Sequence, residues 1–149
     1  MIRRLQRADY PSVYELLLEF SLSTGTDHTQ RNYDYEYIRQ LLLRSEISGE
    51  SFVAEINAEI QGTILSVCVP DLWQPRALWL REIAWYVRPN YRHTSIGARL
   101  FKEYKKAAEK RKELGQIQGF TISKLANSPD FKYEKQGFRF VESTYMIGV

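Results

Sequence analysis

The segment Val87-Arg88-Pro89-Asn90-Tyr91-Arg92-His93-Thr94-Ser95-Ile96-Gly97-Ala98-Arg99-Leu100 marks an abrupt change of backbone habit. An apolar run ends at Val87, and Pro89 bars that strand from continuing through a regular ladder. A polar turn led by Arg92 follows. Thr94, Ser95, Gly97 and Ala98 then form a small-residue stretch that opens a long helical pattern. A tight turn feeding a helix N-terminus leaves backbone N–H groups unpaired and aims the positive end of the helix dipole outward. That arrangement suits phosphate. An ordinary strand-to-helix loop is the plainer reading of the same residues.

Upstream of this turn, Leu78 to Val87 reads as a long strand, preceded by a loop from Pro70 to Pro75. Phe52 to Ile56 and Ile60 to Val69 form two further strands around the hairpin-length connection Asn57-Ala58-Glu59. Ile2 to Gln6 is a short strand. Asp9 is the expected N-cap of a helix carrying Val13, Leu16, Leu17 and Phe20 at helical spacing. Gly25 to Asn32 is a polar break. A second helix pattern, Tyr33, Tyr37, Leu41 and Arg44, ends before Gly49.

Downstream, Ser95 to Leu114 is the longest helix, with Ile96, Leu100, Tyr104, Ala107 and Ala108 as its inward stripe and Gly115 as its terminator. Gln118 to Ser123 reads as a strand, and Phe131 to Gln136 as a short helix closed by Gly137. Phe138 to Val141 and Thr144 to Ile147 make a final pair of strands. The expected order is β-α-α-β-β-β-α-β-α-β-β. No linker, repeat or low-complexity stretch divides it, so residues 1–149 are expected to form one α/β domain around a mixed sheet.

Composition narrows the function classes. A hydrophobic fraction of 44% and a charged fraction of 26% are those of an ordinary soluble domain. Ten tyrosines suggest a cleft lined by amphipathic rings, or simply a Tyr-rich core and surface. The net charge of +3 is a weak argument for a polyanionic partner. Lys102, Lys105, Lys106, Lys110, Arg111 and Lys112 share their helix with Glu103, Glu109 and Glu113. That mixture reads as a solvated, salt-laced helix rather than a nucleic-acid surface.

The single cysteine, Cys68, permits no intramolecular disulfide and sits in an apolar run as a small core residue. His28 and His93 lie far apart without cysteine neighbours, so no metal is expected. The N-terminal Met-Ile-Arg-Arg-Leu-Gln-Arg has no apolar region behind its charges, and no apolar run approaches membrane-spanning length. A cytoplasmic protein without membrane partners is the expectation.

Two segments carry a resemblance. Arg92-His93-Thr94-Ser95-Ile96-Gly97 follows Val87-Arg88-Pro89, and Tyr133-Glu134-Lys135-Gln136-Gly137-Phe138 closes the short helix. In that order, within this succession of elements, they resemble the GNAT superfamily of acyl-CoA N-acyltransferases across nearly the whole chain. The resemblance implies the GNAT fold, an α/β (α+β) architecture with a mixed, mostly antiparallel central sheet flanked by helices. It also implies acetyl-CoA as co-substrate and an amine acceptor, small-molecule or protein. The last strands of such proteins often build dimers, so a homodimer is an open expectation. The sequence departs from the family pattern at Ser95 and His93, where glycine is common; serine keeps the N–H donor, whereas His93 puts a bulky ring in the turn.

By this resemblance, the backbone of Arg92, His93, Thr94, Ser95, Ile96, Gly97 and Ala98 holds the pyrophosphate of coenzyme A, while backbone groups near Trp85 and Val87 pair with the pantetheine arm. Asn127 stands where the family commonly places a cofactor-binding asparagine, one residue closer to the tyrosine than usual. Lys102 and Lys132 are either phosphate contacts or solvated lysines. Tyr133 is expected to be the general acid toward the leaving sulfur, because a phenol is protonated at neutral pH; packing against the sheet is its plain alternative. Glu82 occupies a strand where many family members carry a glutamate that deprotonates the amine through water.

Strict alternation would place Glu82, Ala84 and Tyr86 on one face, and a carboxylate among apolar neighbours has a raised pKa. Pairing of Glu82 with Arg81 or another cation is the competing reading. His28 is a candidate base or a solvated loop residue. Phe20, Tyr33, Tyr37 and Trp73 are candidates to line or close an acceptor pocket, or to pack. A non-catalytic acyl-CoA-binding or regulatory module, favoured by Ser95, is the alternative to an N-acetyltransferase.

Overall fold

The computed structural model describes residues 1–24 and 33–147. A five-stranded sheet carries β1 (Ile2–Arg4), β2 (Phe52–Ile56), β3 (Glu59–Pro70), β4 (Leu78–Val87) and β5 (Gly119–Thr121), in that spatial order. The first three pairings are antiparallel, and β4 pairs with β5 in parallel. Helices α1 (Tyr10–Ser23) and α2 (Tyr35–Ser48) cover one face, where Val13, Leu16 and Leu42 pack with Leu65, Ala84 and Tyr86. Helix α3 (Ile96–Glu113), the crossover between the parallel strands, covers the other, where Ile96, Leu100, Tyr104 and Ala108 meet Ile64, Leu80 and Val87. Among the described residues no helix is long and apolar enough to cross a membrane.

The β2–β3 hairpin turns on two residues, Asn57 and Ala58, both left-handed at φ 50° and 64°. Such a turn matches the twist of the flanking strands, and it uses an alanine where glycine is the easier residue. Gly115, at φ 73°, closes α3 by donating to the Lys112 carbonyl, as the sequence predicts.

Several sequence expectations are corrected. The Asp9 side chain does not cap α1: the Arg3 guanidinium claims it at 2.7 and 2.8 Å, and its remaining bond is to the Gln6 N–H. The inward stripe of α2 lies one residue beyond Tyr37, Leu41 and Arg44. Ile38, Leu42 and Ser45 turn inward, because Ile38 and Leu42 complete the core over Leu65; Tyr37 is 69% exposed. The strand expected over 118–123 shortens to three residues, and the short helix is a single 3₁₀ turn, Tyr133–Gln136.

The final two strands, Phe138–Val141 and Thr144–Ile147, do not form among the described residues. Their apolar side chains, including Phe140, Val141, Tyr145 and Ile147, stand exposed. A strand exists only through a partner's ladder, and composition alone supplies none.

Candidate active site

The parallel pairing of β4 with β5 stops after three rungs, Trp79 with Gly119, Leu80 with Phe120 and Arg81 with Thr121. Among the described residues no strand lies beside β4 from Glu82 to Val87 on that edge, although β3 pairs with it throughout on the other. The sheet therefore forks immediately after Arg81. The Arg88 N–H bonds the Gln61 carbonyl at 3.0 Å. By the alternation of an antiparallel ladder, Trp85 and Val87 then direct their own N–H and C=O groups toward the open edge. The Val87 carbonyl there accepts the Arg92 Nε at 2.8 Å, and the Arg92 guanidinium lies 5.2 Å over the Tyr86 ring.

Glu82 sits at the apex of the fork. The register with β3 shifts between Leu65–Ala84 and Ser66–Glu82, so Ile83 is an extra residue, a β-bulge. The bulge breaks the alternation, which corrects the expected grouping of Glu82 with Ala84 and Tyr86. Those two face α1 and α2, whereas Glu82, in phase with Leu80, faces α3.

Only 6% of Glu82 is exposed, and among the described residues no cation pairs with it, so the Arg81 ion-pair reading is not realised. Burial drives its pKa up to about 7, moderated by the Ser123 N–H, which donates to one carboxylate oxygen at 3.0 Å. Ser123 lies just past β5, so this bond ties the departing strand to the apex.

Tyr133 stands close enough for the Glu82 charge to act on it. Burial first, then the charges of Glu82 and Asp130, raise its phenol above the ordinary value. Its ring meets Phe101 at 6.4 Å, Phe131 at 6.4 Å and Phe138 at 6.3 Å. Lys132, left-handed at φ 53°, leads into the 3₁₀ turn, and Gly137 at φ 93° leaves it. Trp85 stacks on Phe101 at 5.4 Å and touches Phe131 at 4.5 Å. The sequence assigns no site role to Phe101, Phe131 or Phe138; Phe131 and Phe138 flank the Tyr133 turn, whereas Phe101 lies far off on α3 beside Leu100, with no local signal to join it to them.

At the far end of the open edge lies the turn from Pro89. A 3₁₀ turn, Pro89–Tyr91, passes into Arg92 to Ser95 and then into α3. Thr94 closes the turn through its N–H and its Oγ1, both to the Tyr91 carbonyl, and its Oγ1 accepts the Ile96 N–H at 3.3 Å. The first helical bond is from Arg99 to Ser95. The N–H groups of His93, Ser95, Gly97 and Ala98 thus have no acceptor among the described residues. Ser95 has φ −79°, and neither it nor His93 is left-handed. Neither position therefore needs the left-handed freedom of glycine, which removes the backbone-strain ground for reading Ser95 as a mark of lost binding.

The other candidates scatter. Asn127 donates to the Ser23 carbonyl at 2.7 Å, tying the segment after β5 to the end of α1. Phe20 packs edge-on against Tyr86 at 5.9 Å, and the Tyr33 hydroxyl donates to Ser21. Trp73 is exposed in the β3–β4 loop, well separated in sequence from Tyr37 on α2. Lys102 and Lys132 are exposed. His28 lies outside the described residues. No group of metal-ligating side chains occurs among the described residues.

Known proteins share the family and the fold of this chain. The model of the acetyltransferase (GNAT) domain family matches residues 48–140. No curated protein matches. Among solved structures, a predicted acetyltransferase with acetyl-CoA from Clostridium acetobutylicum superposes with a TM-score of 0.75 at 14% identity, over 99% of this chain and 95% of that one. A ribosomal-protein-alanine N-acetyltransferase from Brucella melitensis gives 0.66 at 18% identity, over 100% and 98%. A transcriptional regulator from Bacillus halodurans gives 0.71 at 17%, over 100% and 99%. At such identities these likenesses speak for the fold.

Proposed function

Because the chain belongs to the GNAT acetyltransferase family, we propose that it is an N-acetyltransferase moving an acetyl group from acetyl-CoA to a primary amine. The observation that carries this reading is the fork itself. One buried carboxylate stands at its apex, an open strand edge leads away from it, and free amides gather at the helix N-terminus beyond.

The residues fit the donor along that line. The N–H groups of His93, Ser95, Gly97 and Ala98, at the positive end of α3, suit a pyrophosphate. The outward backbone of Trp85 and Val87 suits an amide-bearing arm that adds itself as a strand. The Val87 carbonyl is held by Arg92, so its N–H and the polar groups of Trp85 are the free partners. Bound there, acetyl-CoA supplies the acetyl group as an activated thioester.

An amine is protonated at neutral pH and must lose that proton to act as a nucleophile. Glu82, with a pKa near 7, is ionised in sufficient proportion to accept it and basic enough to hold it. Tyr133, whose phenol is pushed up by burial, keeps its proton at neutral pH and serves as donor to the departing sulfur. The Ser123 N–H fixes the carboxylate without neutralising it.

Gly97 provides the test. A Cβ there would lie 3.8 Å from Val87 Cγ2, an ordinary contact, and its φ is not left-handed. Gly97→Ala is therefore expected to leave the apo protein as stable or up to about 1 kcal/mol more so. It is also expected to weaken acetyl-CoA at least tenfold by obstructing the approach of phosphate to the amides. Thermal-shift titrations with acetyl-CoA, and with a nucleotide lacking the pantetheine arm, measure both. Stabilisation absent at millimolar acetyl-CoA, or undiminished in the variant, overturns the assignment.

A further inference from the structure

On the sheet face away from Glu82, a groove of about 240 Å³ opens beside the base of the fork. It is lined by Val69, Pro70, Asp71, Trp79, Arg81 and Thr121, with Leu72 completing the wall. Trp79 and Arg81 alternate with Leu80 and Glu82, which places them on the opposite face. The Trp79 indole lies across Gly119, where a Cβ would come within 2.5 Å of the ring, so the groove floor depends on that glycine. Both oxygens of Asp71 already accept hydrogen bonds. One oxygen accepts the N–H groups of Trp73 and Gln74, and the other accepts the Trp79 indole N–H at 3.2 Å.

Arg81 is the contrasting group. It is exposed, and among the described residues it has neither a carboxylate within ion-pair distance nor a hydrogen bond. Most other arginines of the fold are committed. Arg3 holds Asp9, Arg4 holds Glu50, Arg39 holds Glu36 and Arg88 holds Glu19. Its place in the sheet is also particular. Arg81 and Thr121 form the last rung before β4 and β5 part, one strand residue, about 3.3 Å of rise, from Glu82. A ligand anchored on Arg81 therefore sits at the threshold of the fork, with an apolar wall from Val69 and Trp79 behind it.

We propose that this groove receives the acceptor and that Arg81 selects amines carrying a carboxylate. The guanidinium presents a planar pair of donors that matches a carboxylate, while the apolar wall of Val69 and Trp79 closes the groove behind that pair. The carbon chain then runs forward from Arg81 and passes between the parted strands beyond the last rung, which brings the amine end to the face of Glu82. This inference rests on the acetyl-transfer reading, which it deepens by naming the class of acceptor.

The test uses ω-amino acids of increasing length, from glycine to 6-aminohexanoate, each against its own carboxamide. Thiol release from acetyl-CoA reports turnover, and calorimetry reports binding of the same compounds without acetyl-CoA. At one or more lengths the acid is expected to exceed its amide at least tenfold in kcat/KM. Arg81→Met is expected to abolish that preference, Arg81→Lys to retain part of it, and acetyl-CoA stabilisation to persist in both. Turnover of amines with acids and amides within twofold at every length, or a preference that survives Arg81→Met, refutes the inference and leaves the acetyl-transfer reading intact. Arg81-dependent binding of the acids without turnover of any amine supports the anion site and refutes the acetyl-transfer reading instead.

Discussion

Burial of Glu82 makes the stability of the fold depend on pH with a sign opposite to that of most carboxylates. Its pKa is about 7 in the folded protein against an ordinary 4.5. The folded state therefore binds this proton more tightly than the unfolded chain does. The stability it contributes is fully present below about pH 4.5 and is lost as pH rises through 7. At about 1.4 kcal/mol per pH unit, the gap between those two values corresponds to about 3 kcal/mol. Glu82→Gln keeps the shape and an oxygen for the Ser123 N–H but cannot ionise. Urea unfolding of both proteins between pH 5 and 8 should show the variant gaining on the wild type by about 2–3 kcal/mol across that range, mostly before pH 7. The same residue, acting as base, should give kcat/KM a rising limb near pH 7 that Glu82→Gln lacks, with kcat reduced at least a hundredfold. A stability difference independent of pH would show that Glu82 does not titrate in this window, and the argument from its burial would fail.

Tyr133→Phe retains the ring contacts to Phe101, Phe131 and Phe138; kcat should fall about a hundredfold while acetyl-CoA still stabilises the protein in thermal shift. Ala58→Gly relieves a left-handed alanine at φ 64° and should stabilise the hairpin by about 0.5–1 kcal/mol in urea unfolding. Gly49→Ala would put a Cβ 1.9 Å from the Ser66 carbonyl oxygen and 2.8 Å from that of Ser45. Neither backbone atom can move without disturbing α2 or β3, so a loss of about 3 kcal/mol or more is expected by the same measurement.

The parts of this structure that local chemistry governs were legible in the sequence. Proline and small residues between Val87 and Ile96 mark the strand-to-helix turn, and Gly115 marks the end of α3. Where tertiary partners govern, the sequence is silent. Phe138–Val141 and Thr144–Ile147 have strand composition, but no ladder takes them up among the described residues. The N-cap character of Asp9 is genuine, yet Arg3 on β1 competes for the same oxygens and prevails with two charge-assisted bonds. The α2 stripe could be read one residue off because Leu41 and Leu42 are equally apolar neighbours, each with a ring or aliphatic side chain four residues before it (Tyr37 and Ile38), and only the core beneath chooses between them.

The bulge at Ile83 shows why the site was harder to read than the fold. Period-two alternation assigns a face to every residue of β4 from the position of any one of them, and a single inserted residue reverses the assignment beyond it. Here the reversal allows Ala84 and Tyr86 to pack beneath α1 while Glu82 stays on the α3 face near Tyr133 and Tyr104. No glycine or proline marks the insertion, since Leu80-Arg81-Glu82-Ile83-Ala84-Trp85 is uninterrupted strand composition. The bulge also falls directly beyond the last β4–β5 rung, where the edge is free to bend. Lost alternation and lost pairing therefore coincide at the carboxylate. Unbroken alternation that kept Ala84 and Tyr86 beneath α1 would bury Glu82 there with them, remote from the tyrosine, and the proposed acid and base would no longer share a cleft.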